Sequence, residues 1–406
     1  MKRIVVCCDG TWNRLDSEEH TNVGRLAAAI LGTATGADGT RVTQIVHHLD
    51  GVGSGRGTGR ASQTVDRLFG GAFGWGLDAL ITEAYRFLAL NYEPGDEIYV
   101  FGFSRGAYCA RSLCGLIGRA GIVERRHADR IDDATRLYRD PAKGSASEAA
   151  RVFRARYASH VTTIDGEAAW REREGLGDHP DPVRLRLAYL GVWDTVGSLG
   201  VPRGLFGMMP GGGRAVRRHS FHDTKLSPLV AAARHAVAID ERRWDFEPTL
   251  WQLDDILGKP GLDPGDYPQQ WFPGVHGAVG GGGPDAGLSS AALLWVLEGA
   301  EARGLRVDGG MRKAWVREAA FDGPLDAGRT GRSLADRVFR LRSRDRTAVP
   351  GFDNVSETAR RRWKGVAAYR PNPLAALRDR LDGWDAGVPE GEATPPRPGE
   401  PPLAAE

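Results

Sequence analysis

Glu97-Ile98-Tyr99-Val100-Phe101-Gly102-Phe103-Ser104-Arg105-Gly106-Ala107 decides how this chain is read. An apolar run of strand length ends in Gly-Phe-Ser-Arg-Gly and passes directly into a helical pattern, Arg105 to Ala120. A serine at that point sits on a tight strand-to-helix turn, its hydroxyl raised above the end of a sheet. Gly102 and Gly106 have a steric reason, because side chains there would collide across the turn. The Arg105 N–H opens the helix and can face a developing oxyanion. A Gly-x-Ser-x-Gly match means little by itself in a chain with 55 glycines. The strand before it and the helix after it make it specific.

Working outward, strands and helices alternate. Ile4 to Cys8 reads as a buried strand that ends in Asp9-Gly10-Thr11-Trp12-Asn13. Val42 to His48 reads as a second strand, followed by the flexible loop Asp50-Gly51-Val52-Gly53-Ser54-Gly55. Gly76 to Asn91 has helical periodicity through Leu77, Leu80, Ile81, Ala84, Phe87 and Leu88. Leu185 to Trp193 is another apolar strand, ending in Asp194-Thr195-Val196-Gly197. Residues 200–224 are Gly-rich and loop-like, and Ser227 to Asp240 reads as a helix. Gln269 to Val275 is a short strand or loop that delivers His276, followed by Gly280-Gly281-Gly282-Gly283. Leu288-Ser289 opens a helix running to about Arg303.

This alternation predicts an α/β fold of the α/β-hydrolase type, a mostly parallel, doubly wound sheet with a helical cap insertion. Residues 1–122 and 183–305 form the two parts of the core, and 123–182 the cap. Residues 306–386 form a C-terminal helical extension. The Pro-, Glu- and Ala-rich tail, 387–406, is expected to be disordered.

The chain has 406 residues, 41% of them hydrophobic, enough for one large domain with insertions or for two domains. A formal charge of +2 argues against a broad basic field for nucleic acid. The basic residues are six lysines and 48 arginines, a bias of composition more than a sign of a partner. Cys7, Cys8, Cys109 and Cys114 lack metal spacing and read as buried free thiols. No secretory signal or long apolar segment is visible, so the chain is expected in the cytoplasm as synthesised. That is compatible with export by machinery that ignores signal peptides.

A serine nucleophile needs a base, and the base needs a carboxylate to hold its tautomer. In α/β hydrolases the chain order is serine, acid, histidine. Asp194 fits the acid, just past the end of an apolar strand. His276 fits the base, on a late, glycine-flanked loop. His47 and His48 precede the serine, and His235 falls within the expected helix at 227–240, where a packed imidazole is ordinary. The second oxyanion N–H is expected from Gly10 or Thr11 at the mouth of the first strand, with Gly51 to Gly53 as rivals. This chemistry calls for no cofactor and no metal.

Several motifs together resemble one uncharacterised α/β-hydrolase family, which includes the catalytic domains of type VI secretion phospholipase effectors. They are Cys8-Asp9-Gly10-Thr11-Trp12-Asn13, Thr21-Asn22-Val23, Asp50-Gly51-Val52-Gly53 and Tyr92-Glu93-Pro94-Gly95-Asp96 through the elbow to Tyr108. Further on come Val192-Trp193-Asp194-Thr195-Val196-Gly197, Ala233-Arg234-His235-Ala236 with Asp240-Glu241-Arg242-Arg243, and Phe272-Pro273-Gly274-Val275-His276. The likeness covers about residues 3–305, more loosely to Pro373. It implies a Ser104-Asp194-His276 triad and activity on carboxylic or phospholipid esters. Two departures stand out. Gly277-Ala278 replace a Ser-Asp that often follows the histidine. Asn354-Val355-Ser356 stand where a late histidine is common.

The expected partners are an ester or lipid substrate and a membrane surface, with no nucleic acid. The amphipathic segment 123–182 is expected to cover an apolar pocket and meet the lipid. The resemblance adds a secretion-system or immunity partner of open identity. Two alternatives compete with this reading. Cys7-Cys8-Asp9-Gly10-Thr11 is similar to the strand end of haloacid dehalogenase-like phosphotransferases, but Cys7 replaces their nucleophilic aspartate. A non-catalytic binding or scaffold protein on a hydrolase fold is the other.

Overall fold

The computed structural model describes residues 1–11, 13–36, 39–53, 71–140, 142–177, 179, 181–197, 225–259, 261–326 and 343–385. The expected loop at 200–224, residues 54 and 55 of the loop 50–55 and the tail from 387 lie outside these. The strands are β1 (Lys2–Cys8), β2 (Thr33–Thr35), β3 (Arg41–Leu49), β4 (Glu97–Phe103), β5 (Val161–Thr162), β6 (Val183–Arg184), β7 (Leu187–Trp193), β8 (Ala233–Ala238) and β9 (Gln269–Phe272). The helices used below are α1 (Asn22–Ala29), α2 (Gly71–Asn91), α3 (Arg105–Ala120), α4 (Ile131–Arg139), α5 (Glu148–Tyr157), α6 (Glu167–Arg173), α7 (His276–Gly280), α8 (Gly287–Ala302), α9 (Gly309–Glu318), α10 (Glu357–Gly365) and α11 (Arg378–Asp382).

Seven strands form one sheet in the order β2-β3-β1-β4-β7-β8-β9. Every pairing is parallel except the antiparallel edge strand β2. The apolar runs are near-continuous because both faces are covered. Ile4, Val6, Cys8, Ile98 and Val100 point to one core with α2 and α3. Val5, Cys7, Tyr99, Phe101 and Phe103 point to the other, with α1, α8 and α9. Burying each large side chain contributes about 1.5–3 kcal/mol. The four cysteines are free and buried in these layers, and burial pushes the Cys114 thiol up to about 12.

Ser227 to Asp240 is not a helix. Turns around Ser227 lead into β8, which lies between β7 and β9. Alanine-rich sequence favours helix locally. Here small side chains suit a strand closed in on both faces, and parallel pairing overrides the local preference. His235 is therefore a strand residue with no solvent exposure.

The segment 123–182 is mostly helical but does not lie over the elbow. Tyr138 contacts Gly115 of α3, and Arg154 Nη1 donates to the Arg119 carbonyl at 2.7 Å. Arg119 lies about 22 Å from Ser104 along α3, at 1.5 Å rise per residue. Arg125 Nε donates to Leu90 O at 2.9 Å, near the turn that enters β4. These contacts seat the segment at the amino-terminal edge of the sheet, opposite Ser104. Buried Glu167 joins it internally, accepting from Arg154 and Arg171 at 2.8 Å each. The amphipathic faces that suggested a cover are spent on α2 and α3.

Residues 343–385 wrap the far edge of the sheet. Val349, Val355, Trp363, Tyr369, Leu374 and Leu381 form a third core with Val237, Ile239 and Trp271. Ser356 N–H donates to the Trp271 carbonyl at 3.0 Å, which closes the exposed edge of β9.

Candidate active site

β4 ends at Phe103, and Ser104 adopts φ 59°, ψ −123° before α3 begins. A non-glycine residue rarely holds a positive φ, and doing so costs on the order of 1–3 kcal/mol. Neighbours over-determine it. Ser104 N–H donates to the Trp193 carbonyl on β7 at 3.0 Å. A Cβ on Gly106 would come within 2.1 Å of the Cys8 carbonyl oxygen, and one on Gly102 within 2.5 Å of the Gly106 carbonyl oxygen. The first turn of α3 is thus pressed against β1 and against the end of β4 so closely that only glycine fits at 102 and 106. Gly106→Ala is expected to destabilise the fold by about 3 kcal/mol through overpacking, read as a lower denaturant midpoint. An unchanged midpoint would refute the close contact with Cys8.

Asp194 follows β7, the neighbour of β4, and is the other non-glycine residue with positive φ among the described residues, at 39°. Its N–H donates to the Ala236 carbonyl at 2.7 Å. Its buried carboxylate receives four donors. Oδ1 accepts from Ala238 N–H at 2.9 Å and Arg346 Nη1 at 2.6 Å. Oδ2 accepts from His276 Nδ1 at 2.5 Å and Arg346 Nη2 at 2.9 Å. Burial alone would push this carboxyl up. The Arg346 charge and the hydrogen bonds from His276 and Arg346 outweigh it and hold Asp194 well below the usual carboxylate range.

His276 does not lie on a loop but opens the short helix α7 after β9. Its backbone N–H donates to Glu241 Oε2 at 3.2 Å, satisfying an orphan donor of the first turn. Phe103, next to Ser104, lies against its ring at 4.6 Å between centroids, and Phe246 meets it edge-on at 4.8 Å. The Nδ1–H bond to Asp194 leaves Nε2 as the acceptor nitrogen. Burial lowers the His276 pKa below its ordinary value, and the Asp194 hydrogen bond and charge oppose that only in part.

His235 is excluded as the base by its bonds. Thr195 N–H donates to its Nε2 at 3.1 Å, and Nδ1 faces Gln269 Oε1 at 3.1 Å. Burial, then the Arg111 charge, lowers its pKa to about 3, so it stays neutral. It pins the turn that carries Asp194.

Gly10 packs beside Ser104, with an added Cβ 3.4 Å from the serine Cβ. Its N–H, however, donates to Asp9 Oδ1 at 2.6 Å. Gly51 N–H likewise donates to Asn13 O at 3.0 Å. Of the expected donors, Gly10 and Gly51 thus spend their N–H groups within the protein. The Thr11 hydroxyl is buried and unpartnered among the described residues.

Sequence reading missed Arg346 altogether, because it lies 152 residues from Asp194 with no motif around it. Glu241 stands in one of the motifs with no role that the sequence assigns. The sequence signal for Glu241 is an acid followed by two arginines, and Arg243 Nη2 pairs with it at 2.7 Å. Among the described residues, no group of three His, Cys, Asp or Glu side chains is placed to hold a metal ion, and no helix is long and apolar enough to cross a membrane.

A mostly parallel sheet with a strained serine at a strand-to-helix elbow, and an Asp–His pair on the connections that follow β7 and β9, defines an α/β-hydrolase-like protein. The chain belongs to the Tle1-like phospholipase effector family of type VI secretion systems, whose catalytic-domain model matches residues 2–299. It is 28% identical over 253 residues to the uncharacterized protein YEL023C of Saccharomyces cerevisiae, a match covering 61% of this chain and 32% of that protein. A crystal structure of an uncharacterized protein from Pseudomonas aeruginosa is 17% identical with a TM-score of 0.42, covering 92% of this chain and 55% of that one. A structure of the Tle1 effector bound to the VgrG spike of the type VI secretion system is 18% identical with a TM-score of 0.33, covering 70% of this chain and 52% of that one. The chain thus spans about a third of the curated relative and about half of each solved chain.

Proposed function

We propose that this chain is a serine hydrolase that cleaves lipid esters, phospholipids among them, with Ser104 as nucleophile, His276 as base and Asp194 as its anchor. The observation that carries the reading is the 2.5 Å Asp194–His276 bond beside a serine held at φ 59°. His276 Nε2 takes the Ser104 hydroxyl proton as Oγ attacks the acyl carbonyl carbon. The oxyanion is met by the backbone N–H groups of Arg105 and Thr11, with the Thr11 hydroxyl as a further donor. Gly10 shapes that wall and donates elsewhere. The imidazolium then protonates the departing alcohol. Water repeats the sequence on the acyl-enzyme, giving the carboxylic acid and restoring Ser104.

Family membership supports a phospholipid as the natural substrate and a type VI secretion system as the route to it. The test is a series of esters of rising acyl length, with phospholipid vesicles included. Turnover per enzyme is expected to rise with chain length and to be higher on dispersed lipid than on soluble short esters. A steady fall with chain length would reassign the chain to small soluble esters.

A further inference from the structure

An arginine on the acid of a Ser-Asp-His site is chemically pointed, because it competes with the imidazole for the same carboxylate. Arg346 belongs to the extension, beyond the residues the family model matches. Its guanidinium is committed at every terminal position. Nη1 donates to Asp194 Oδ1 at 2.6 Å and Ala238 O at 2.7 Å. Nη2 donates to Asp194 Oδ2 at 2.9 Å and Phe246 O at 2.6 Å. This two-pronged grip fixes both carboxylate oxygens, so Oδ2 meets His276 Nδ1 at one angle. Phe246, whose carbonyl it holds, is the residue that meets the His276 ring edge-on. The extension also clamps the loop beneath α7, where Tyr369 OH donates to Asp240 Oδ2 at 3.0 Å and Gly274 N–H to the same oxygen at 2.6 Å.

Resting on the triad reading above, we infer that Arg346 is a positioning residue of the active site, so that the extension at 343–385 is part of the catalytic unit. Arg346 does two separable things. Its fork orients Asp194 and through it His276. Its charge shares the carboxylate, which weakens the support Asp194 gives the imidazolium and keeps the base available at lower pH. The other charged or titratable groups facing the pair are Glu241 and Arg243 from the loop after β8 and His235 from β8, with Arg111 of α3 acting on His235. Glu241 and Arg243 pair with each other, and His235 stays neutral. Arg346 is therefore the cation bonded directly to the acid.

The experiment is the pH dependence of kcat/KM on a soluble ester for wild type, Arg346→Lys and Arg346→Met, each checked by thermal melt. The Ser104→Ala variant establishes independently whether the triad reading stands. Neutral His276 is the active form, so activity falls as pH drops through its pKa. Arg346→Met is expected to move that acid limb up by roughly one pH unit, since a like charge near the imidazolium is gone. Arg346→Lys keeps the charge and loses the fork. It is expected to lower kcat by about tenfold with KM and the limb position little changed. A purely structural arginine would lower the melting temperature and leave the limb of the folded fraction in place. Folded Arg346→Met with the wild-type limb overturns the charge role. Arg346→Lys with wild-type kcat overturns the orienting role, and it decides alone should Arg346→Met not fold. If Ser104→Ala keeps full activity, the triad reading fails first.

Discussion

Ser104→Ala is expected to abolish covalent labelling by a fluorophosphonate probe and to lower kcat by about ten-thousandfold or more. The probe reacts with an activated serine hydroxyl, and Ser104 is the serine at the elbow of β4 and α3. Alanine keeps the backbone demands of φ 59° and removes one oxygen. The fold should therefore be retained, and a melt within a few degrees of wild type is part of the prediction. The residual rate would come from the oxyanion donors and substrate binding, which act without the nucleophile. Labelling that persists in the variant and maps to another serine would end the elbow reading. A wild-type protein in which no serine is labelled would instead revive the non-catalytic alternative.

His276→Ala and His235→Ala separate catalysis from scaffolding. Removing the base is expected to cost roughly a thousandfold or more in kcat, because the three groups act as a unit. The His276 ring lies between Phe103 and Phe246, so its loss also opens a small void, and a modest drop in melting temperature accompanies it. His235→Ala inverts the pattern. It strips the acceptor from Thr195 N–H and the partner from Gln269 in a site with no solvent. The expected cost is about 2–4 kcal/mol of stability, with kcat of the folded enzyme within about tenfold of wild type. Parallel kcat and melting measurements on both variants decide the matter. A well-folded His276→Ala enzyme with near-normal kcat would show that another group is the base.

Much of this architecture was legible in local pattern. β1, β4, β7 and the helix after the elbow lie within a residue or two of their expected bounds, because buried parallel strands read as unbroken apolar runs. Chain order and their place after strands single out Asp194 and His276, and Oδ2 of the one lies 2.5 Å from Nδ1 of the other although 82 residues separate them. The errors share a cause. In β8 the alanines carry a helical preference that neighbouring strands overrule. The segment 123–182 has amphipathic helices, but amphipathicity says that a face is covered and not what covers it. Gly10 was expected to donate to an oxyanion, yet its N–H turns to the Asp9 carboxylate at 2.6 Å. That choice depends on where an adjacent side chain points.

By itself the sequence determined the elbow, since a strand, two glycines, a serine and a helix start are all set within eleven consecutive residues. It determined the two-faced parallel sheet for the same reason, through apolar runs each read over a few positions. The tertiary structure decided which charges meet. Arg346 and Asp194 lie 152 residues apart, and their pairing follows from the extension packing Val355 and Trp363 against Trp271 at the sheet edge. It also decided that His235 is a locked strand residue while His276 faces the acid with an open ring nitrogen. Contacts of that kind depend on long-range burial that brings distant segments together, and no local spacing encodes them.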